Sequence, residues 1–449
     1  MAPGIALLAA HEVQQYHWVI PDPINYVSEL LAGLNMHLKP HFTGILTSVL
    51  AISSQLASIT AAPPTVPPSK QTGRLPALGW NDWNAFACDI NESKVLAAAN
   101  AFISLGLKDA GYQYVNVDDC WALMARDNKT GQIVPDPAKF PNGIAGVASQ
   151  VHDLGLKFGL YSDAGTQTCA GFPGSLGNED IDATTFASWG IDYLKYDNCN
   201  VPSNWTDAAT PPGGDWYNSN SAIRYRQMTA ALAKQTQPIQ LDICIWGQAN
   251  VWEWGARVGH SWRIPTWSFI QEVIGINAAH LSFVNFFAHN DMDMMEIGNG
   301  DLTIQEERTH FAAWAFMKSP ILLGTNLDNL NSDQVAIITN RELLAFSQDS
   351  TVGTPAVPFK PSVSTPIASP PEFYAGKSSK GTHVFIINFS SSTAQKVFNF
   401  ASVPNLGSGS FRLHDMWTGK DLTGTFTTTS SFNVTVAPHD TAAYLIVKA

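Results

Sequence analysis

The chain is poor in charge, above all in positive charge. Only 14% of its 449 residues are charged, and 25 Lys and Arg against 37 Asp and Glu give a formal net charge of −12. Binding to nucleic acid or to an anionic membrane surface requires a basic patch, so the composition argues against both partners. Beyond residue 62 no segment has the ~18 continuous apolar residues of a membrane span. A neutral or cationic ligand fits this chain better.

Cysteine is scarce and odd in number, which bears on where the protein functions. Five cysteines permit at most two disulfides within the chain and leave one thiol over. Five N-x-S/T sequons accompany them, and together with an export signal they predict a secreted, extracellular glycoprotein. The sequons are Asn91, Asn128, Asn204, Asn388 and Asn433.

The export signal does not lie at the very beginning of the chain. Residues 1–35 contain no Lys or Arg, so they lack the positive region of a signal peptide. From Met36 a short basic region precedes the apolar run GILTSVLAISSQLA, and small residues that suit cleavage follow. We therefore expect a signal peptide at 36–62, a Pro-rich spacer at 63–74, and in 1–35 a spurious extension before the true start codon. The alternative is a longer leader without structure.

Short β-branched or aromatic runs alternate with helical patterns from residue 75 to about residue 328, which is typical of βαβ units. The eight strand candidates are PALGW, YQYVNV, KFGLYS, IDYLKYD, IQLDICIW, VGHSW, LSFVNFF and SPILLG. Eight units predict an α/β fold, a closed (β/α)8 TIM barrel over 75–348. Short alternating runs after a Pro-rich connection predict a C-terminal antiparallel β-sandwich domain over 349–449.

Polar and aromatic side chains follow the ends of many predicted strands. The C-terminal ends of barrel strands share one face, where the loops build the active site. The alternative is that some of these residues cap the helices that follow. Adjacent carboxylates are rarely buried without partners, so we expect at least Asp118 and Asp119 to bind hydroxyl groups of a ligand. The full set is Trp83, Asp118, Asp119, Asp163, Asp197 and Trp246.

One pair of residues suits cleavage of a glycosidic bond, which requires a carboxylate at the anomeric carbon and an acid for the leaving oxygen. Lys195 and Asp197 are two residues apart, so in a strand they share one face and Lys195 can hold Asp197 ionised. An ionised carboxylate is the form that acts as a nucleophile. The alternative is a structural ion pair at the end of a strand.

Seven motifs, in order along the chain, resemble those of family 27 glycoside hydrolases, and the secreted fungal α-galactosidases or melibiases in particular. They are GWNDWNAF, VDDCW, GLYSDAG, TCAGFPGS, DYLKYDNC, HNDMDMMEIGNG and AAWAFMKSPILLGTNL. The resemblance is strong over 75–330 and looser in the C-terminal domain. It implies hydrolysis of terminal α-D-galactose residues from melibiose, raffinose-type oligosaccharides and galactomannan by a retaining double displacement.

The resemblance also implies roles for individual residues, with Asp197 as the nucleophile. It implies two disulfides, Cys88 to Cys120 and Cys169 to Cys199, with Cys244 left free. No metal or organic cofactor is implied, the partner is an α-galactoside substrate, and the oligomeric state is not predicted. Residues expected to hold the sugar are Trp83, Asp118, Asp119, Tyr161, Lys195, Trp246, Arg263 and Asp293.

The chain departs from the family after Arg263. The family pattern S-W-R-x-x-G-D-I supplies the acid/base aspartate, whereas here Arg263 is followed by Ile-Pro-Thr-Trp. General acid catalysis is typically worth ~10²–10⁴-fold. A misplaced exon boundary explains the gap, and so does a true deletion that leaves a catalytically impaired galactoside-binding protein. A third explanation is that another carboxylate, Glu253 or Glu272, takes over the role.

A second departure is Ile245, where many relatives carry a glutamate. An apolar residue there removes one acceptor for the C2 hydroxyl of the sugar. The loop also lacks the paired small residues expected around an N-acetyl group. We therefore expect galactose to be preferred over N-acetylgalactosamine.

Overall fold

The computed structural model describes residues 65–207, 209–263, 270–300 and 302–449. The expected extension at 1–35, the signal peptide at 36–62 and the start of the spacer lie outside the described residues. The segment 264–269, where the family's acid/base aspartate is missing, lies outside them as well. The described residues from 65 onward form one compact unit.

Eight parallel strands form the first sheet, and from β1 to β7 each strand pairs with the next along the chain. They are β1 (Leu78–Asn81), β2 (Tyr114–Asn116), β3 (Lys157–Asp163), β4 (Tyr193–Asp197), β5 (Gln240–Ile243), β6 (Ser261–Arg263), β7 (His289–Asp291) and β8 (Ile321–Leu323). β8 returns to pair with β1, and a parallel bridge joins Met295, just after β7, to Leu323 of β8. The sheet therefore closes on itself, which confirms the expected α/β barrel.

Helices connect successive strands. They are α1 (Trp83–Phe86), α2 (Glu92–Ser104), α3 (Leu107–Ala110), α4 (Gly143–Asp153), α5 (Glu179–Ser188), α6 (Asn220–Leu232), α7 (Val251–Trp254), α8 (Ile270–Ala278), α9 (Ile304–Met317), α10 (Ser332–Ile338) and α11 (Arg341–Ser347). α9 begins with a capping box in which Thr303 and Glu306 satisfy each other's backbone N–H groups. Gly106, with a φ of 73°, separates α2 from α3. Within the described residues, no helix has the length and apolar character needed to cross a bilayer.

Alternate strands fill the interior of the barrel. Tyr114 of β2, Tyr193 of β4 and Leu322 of β8 belong to one buried cluster, and the two tyrosine rings lie 5.4 Å apart between centroids. A layer built from every second strand is the usual way in which a barrel of this size fills its interior. In the described part of the chain these side chains fill the middle of the barrel, so we expect a ligand at the ends of the strands.

The prediction of the seventh strand was wrong. The run LSFVNFF at 281–287 forms a 3-10 turn at Leu281–Phe283 and a loop in which Phe287 has a φ of 61°. The strand follows at His289–Asp291, and all three of its residues are buried and polar. Asn290 donates to Asn277 of α8 at 2.6 Å. A strand with polar side chains on both faces has no apolar run to mark it.

The C-terminal domain consists of antiparallel strands in two sheets, as expected. The strands are β9 (Val357–Pro358), β10 (Phe373–Ser378), β11 (Gly381–Ile387), β12 (Ala394–Asn399), β13 (Ser410–Asp415), β14 (Lys420–Asp421), β15 (Phe426–Thr427), β16 (Ser431–Val436) and β17 (Thr441–Lys448). The larger sheet has the order β14-β13-β17-β11-β10-β9 with β15 beside β13, and β12 pairs with β16 in the smaller one. Phenylalanines such as Phe398, Phe400 and Phe411 pack in the core of this domain.

The C-terminal domain packs on the last helices of the barrel. Phe385 of β11 stacks on Phe316 of α9 with ring centroids 4.7 Å apart. Polar contacts accompany this apolar one: His414 with Glu342 at 2.8 Å, His439 with Glu306 at 2.7 Å, and Arg308 with Asp440 at 2.8 Å. The interface therefore combines an aromatic centre with ion pairs that involve histidine.

Candidate active site

The residues that the sequence singled out lie at or just beyond the C-terminal ends of the barrel strands. Tyr161, Lys195 and Asp197 belong to β3 and β4, and Arg263 ends β6. Trp83, Asp118, Asp119, Trp246 and Asp293 each follow a strand by one to three residues. Parallel strands end on one face of a closed barrel, so the fold brings these positions to a common rim.

Asp197 is the last residue of β4 and is only 5% exposed. The hydroxyl of Tyr161 donates to its Oδ2 at 3.0 Å, and the backbone N–H of Asn198 donates to its Oδ1 at 2.9 Å. Both oxygens are thus held in one orientation. A nucleophile gains rate from such fixed placement, because the reacting atoms start near the geometry of attack.

Lys195 forms an ion pair with a residue from another strand. Its Nζ lies 2.7 Å from Oδ2 of Asp118 and 5.2 Å from the centroid of the Tyr161 ring. The side chains of Lys195 and Asp118 are 11% and 3% exposed, so the pair is largely shielded from solvent. The spacing of residues within β4 predicts the charge of Lys195 beside Asp197, but it gives no sign of the bond to Asp118.

Asp118 is supported by two residues that the analysis of the sequence missed. Asn81 Nδ2 donates to its Oδ2 at 2.8 Å, and its backbone N–H donates to Asp82 Oδ1 at 2.6 Å. Burial raises the pKa of Asp82 well above its usual value, and the charge of Asp118 adds to this effect. The only signal for Asn81 and Asp82 in the sequence is their place in the motif GWNDWNAF.

Asp119 has its two oxygens held by backbone N–H groups, from Cys120 at 2.7 Å and from Ala170 at 2.9 Å. Burial raises its pKa, and these bonds act in the opposite direction. Each carboxylate oxygen has a second lone pair that can accept a hydroxyl of a ligand. The geometry therefore suits recognition of a sugar.

Asp163 lies beside the nucleophile, in register with Asp197 on the neighbouring strand. Burial raises its pKa to about 8, and the negative charge of Asp197 contributes as well. Its oxygens accept backbone N–H groups of Gly165 at 2.6 Å and Cys199 at 2.9 Å. Because both oxygens are held by the backbone, Asp163 is suited to fix the loops after β3 and β4.

Two of the expected ligand residues have left-handed backbone conformations. Trp246 has a φ of 55° and Asp293 a φ of 81°. Such conformations cost of order 1–3 kcal/mol and gather at functional sites. Asp293 Oδ1 accepts the backbone N–H of Met294 at 2.8 Å, while its own N–H donates to Asp291 Oδ1 at 2.8 Å. The turn is therefore fixed by the carboxylates on either side of it.

Trp83 and Ile245 differ in their surroundings. Trp83 is half-buried and packs against the cluster of Tyr114, Tyr193 and Leu322 that fills the barrel. One part of its ring therefore rests on the core while the rest remains accessible to a ligand. Ile245 is fully buried, so it contributes to the core and offers no acceptor at the rim.

Two disulfides join neighbouring loops of the rim. Cys88 is bonded to Cys120 and Cys169 to Cys199, and Cys244 is a buried thiol. These are the pairs that the resemblance implied. Asp163, Asp197 and the second disulfide bring oxygen and sulfur atoms within 4.8 Å of one another. Sulfur in a disulfide is not a thiolate ligand, so this cluster offers a metal only two carboxylates.

The sequons differ in accessibility. Asn128, Asn204 and Asn433 are exposed, and Asn91 is half-buried as the N-cap of α2. Asn388 is fully buried, and its Nδ2 donates to the carbonyl oxygens of Ser392, Val436 and Ala437. A glycan is attached through this nitrogen, so the folded domain has no room for one at Asn388.

The two glutamates considered as substitutes for the acid are both on the surface. Glu253 lies on α7 and Glu272 on α8, and each is exposed. Glu253 accepts a hydrogen bond from the side chain of Asn250 at 3.2 Å. Neither shares a hydrogen bond with the network around Asp197 in the described part of the chain.

Comparison with known proteins gives consistent matches. The family model described as "Alpha galactosidase A" matches residues 75–349, and the one described as "Alpha galactosidase C-terminal beta sandwich domain" matches residues 368–446. A relative from Aspergillus fumigatus named "Probable alpha-galactosidase B" is 46% identical over 420 residues, which cover 84% of this chain and 98% of the relative.

Solved structures give the same result. Alpha-galactosidase I from Mortierella vinacea is 33% identical with a TM-score of 0.75, and the match covers 84% of this chain and 98% of the other. An α-galactosidase from Saccharomyces cerevisiae, solved with raffinose, is 30% identical with a TM-score of 0.75 and coverage of 86% and 100%.

Proposed function

This chain belongs to the alpha-galactosidase family of glycoside hydrolases, family 27, and we propose that it hydrolyses terminal α-D-galactose residues with Asp197 as the nucleophile. The observation that carries the proposal is the buried Asp197 carboxylate at the end of β4, held by Tyr161 and by the backbone of Asn198. The charged and aromatic groups around it suit the hydroxyl groups and the less polar face of a pyranose.

The reaction proceeds in two displacements. An oxygen of Asp197 attacks the anomeric carbon while the bond to the leaving oxygen breaks, and that oxygen takes a proton from an acid. Water then attacks the anomeric carbon, the bond to Asp197 breaks, and the proton of the water returns to the same acid. Two inversions give net retention of configuration. Asp118, Asp119, Lys195 and Asp293 would hold the hydroxyls, with Trp83 against the ring.

The substrates are α-galactosides such as melibiose, raffinose-type oligosaccharides and galactomannan. Support comes from the names of the relatives and from the yeast structure solved with raffinose. The substitution by Ile245 and the absence of paired small residues favour galactose over N-acetylgalactosamine.

The proton donor is the part of the proposal that depends on the segment after Arg263. The family's acid/base aspartate follows this arginine by a few residues, and we propose that a misplaced exon boundary removed it from the sequence. The exposure of Glu253 and Glu272 argues against either as a replacement. No observation favours a protein that only binds galactosides.

We also propose that the protein is secreted, with a signal peptide at 36–62 and a mature chain that starts near the spacer at 63–74. The two disulfides support this proposal, because such bonds persist in oxidising compartments. We propose that residues 75–348 form the catalytic domain and residues 349–449 the β domain.

The test is turnover of an aryl α-galactoside with a good leaving group and of melibiose, with Asp197→Asn as the control. We expect the chain with this sequence to cleave the activated substrate, because the leaving group of that substrate needs no proton. It should cleave melibiose far more slowly. Restoring the missing segment should raise turnover of melibiose by about 10²–10⁴-fold. Activity that persists in Asp197→Asn would refute the assignment of the nucleophile.

A further inference from the structure

The first turns of α6 form a support behind the nucleophile. Arg224 is 2% exposed, although a guanidinium is always charged. Its Nη1 donates to the carbonyl oxygen of Ala164 at 3.2 Å, and its Nη2 donates to Oδ1 of Asn198 at 2.8 Å. Ala164 and Asn198 directly follow Asp163 and Asp197, so one side chain joins the ends of β3 and β4.

The next residue of the helix, Tyr225, also contacts the end of β4. The hydroxyl of Tyr225 donates to the carbonyl oxygen of Asp197 at 3.0 Å. Asn198, which Arg224 holds by its side chain, donates its backbone N–H to Oδ1 of Asp197. Arg224 and Tyr225 together therefore fix the backbone of the nucleophile and, through Asn198, the orientation of its carboxylate.

The charge of Arg224 has no contact partner of opposite sign. In the part of the chain that the structure describes, no carboxylate forms an ion pair with its guanidinium, and its Nε has no hydrogen-bond partner. An isolated buried cation is costly, and the hydrogen bonds of Arg224 to Ala164 and Asn198 offset part of this cost. Burial and the charge of Asp197 raise the pKa of Asp163 to about 8, and Arg224 acts in the opposite direction.

We propose that Arg224 is a positioning residue for the reaction: it joins the loops that follow Asp163 and Asp197, and it holds Asn198, whose backbone N–H orients the carboxylate of the nucleophile. The inference rests on the proposed function, since it takes Asp197 as the nucleophile. It assigns to a helix behind the barrel a role in placing the nucleophile.

The experiment measures kcat and KM with an activated aryl α-galactoside, which avoids the need for a proton donor. Arg224→Met should lower kcat by about 10-fold or more and change KM little, because it removes the hydrogen bonds behind the nucleophile and none of the groups expected to hold the sugar. Arg224→Lys keeps the charge but loses the planar fork, so it should restore only part of kcat.

Arg226→Met is the matched control. Arg226 lies on the same helix, is 4% exposed, and contacts Tyr217 and Asn218. Loss of this buried arginine should lower stability without the same fall in kcat. Arg224→Gln replaces Arg224→Met in the comparison if the latter does not yield folded protein.

Binding of a cationic iminosugar of galactose configuration, measured by calorimetry, provides a readout that does not need turnover. Its cation should bind beside the carboxylate of Asp197, so displacement of that carboxylate in Arg224→Met should weaken binding more than in Arg226→Met. A wild type that binds the iminosugar but hydrolyses nothing would contradict the proposed function alone. A kcat and an affinity for the iminosugar that stay at the wild-type level in Arg224→Met, or that fall equally in Arg226→Met, would overturn the role of Arg224.

Discussion

The hydroxyl of Tyr161 donates to Oδ2 of Asp197 at 3.0 Å from the neighbouring strand. Tyr161→Phe removes this bond and leaves the packing of the ring unchanged. Hydrogen bonds to charged groups contribute about 1.5–3 kcal/mol, so we expect kcat/KM to fall by about 10- to 100-fold while the melting temperature changes little. Steady-state kinetics and thermal unfolding would check this. Wild-type kcat/KM in Tyr161→Phe would show that the bond does not assist the reaction.

The ion pair between Lys195 and Asp118 makes a second prediction. Lys195→Met leaves Asp118 buried without its cation, and breaking a buried pair costs about 3–5 kcal/mol. We expect both lower stability and a large loss of activity, whereas Lys195→Arg should keep most of the stability because it keeps the charge. Thermal unfolding and kcat/KM of the two variants decide the matter. Equal stability of both variants would show that the ion pair contributes nothing.

The contact of His414 with Glu342 predicts a dependence of stability on pH. The hydrogen bond that His414 donates to Glu342 raises the pKa of His414, burial opposes it, and Asp421 at 2.7 Å adds to the rise. A raised pKa means that the stabilisation is complete below the ordinary value near 6.5 and is lost as the pH rises through the folded value. His414→Gln should therefore lower the free energy of unfolding by about 1 kcal/mol at about pH 5 and by little at about pH 9.

A double-mutant cycle tests this contact. The free energy of unfolding in urea is measured at both pH values for His414→Gln, for Glu342→Gln and for the double variant. The two substitutions should be non-additive at acid pH and additive at alkaline pH. A loss of the same size at both pH values would mean that His414 acts through packing alone.

The burial of Asn388 predicts which sequons can carry glycans. Its Nδ2 has three carbonyl partners, whereas Asn128 and Asn433 are exposed. Mass spectrometry of proteolytic peptides should find Asn388 unmodified, and Asn433→Gln should remove one glycan while Asn388→Gln removes none. A glycan on Asn388 would require a different conformation of this loop.

The rim could be predicted from the sequence because its residues lie at or just beyond the strand ends, as Asp118, Asp119 and Asp197 do. Contacts between strands that are not neighbours could not, since the spacing within β4 says nothing of the end of β2, where Lys195 finds Asp118. The role of Arg224 could not be predicted from the sequence for a similar reason. It lies on a helix, and its relation to Asn198 exists only after α6 packs behind β4.

The seventh strand shows the limit of hydrophobic patterns. LSFVNFF has the composition of a buried strand, yet the chain places a turn there and uses His289–Asp291 instead. Inside a barrel that binds a polar ligand, a strand can be polar on the inward face, and Asn290 satisfies the outward face through Asn277. Periodicity cannot identify such a strand, because both of its faces are polar.

The two disulfides divide the rim into halves with different freedom to evolve. Cys88 to Cys120 and Cys169 to Cys199 tie together the loops after β1 to β4, while in the described part of the chain no covalent link joins the loops after β5 to β8. A lineage can therefore lengthen or shorten loops in the second half without having to match a change in cysteine positions. The departure after Arg263 falls in the half of the rim that these disulfides leave unconstrained.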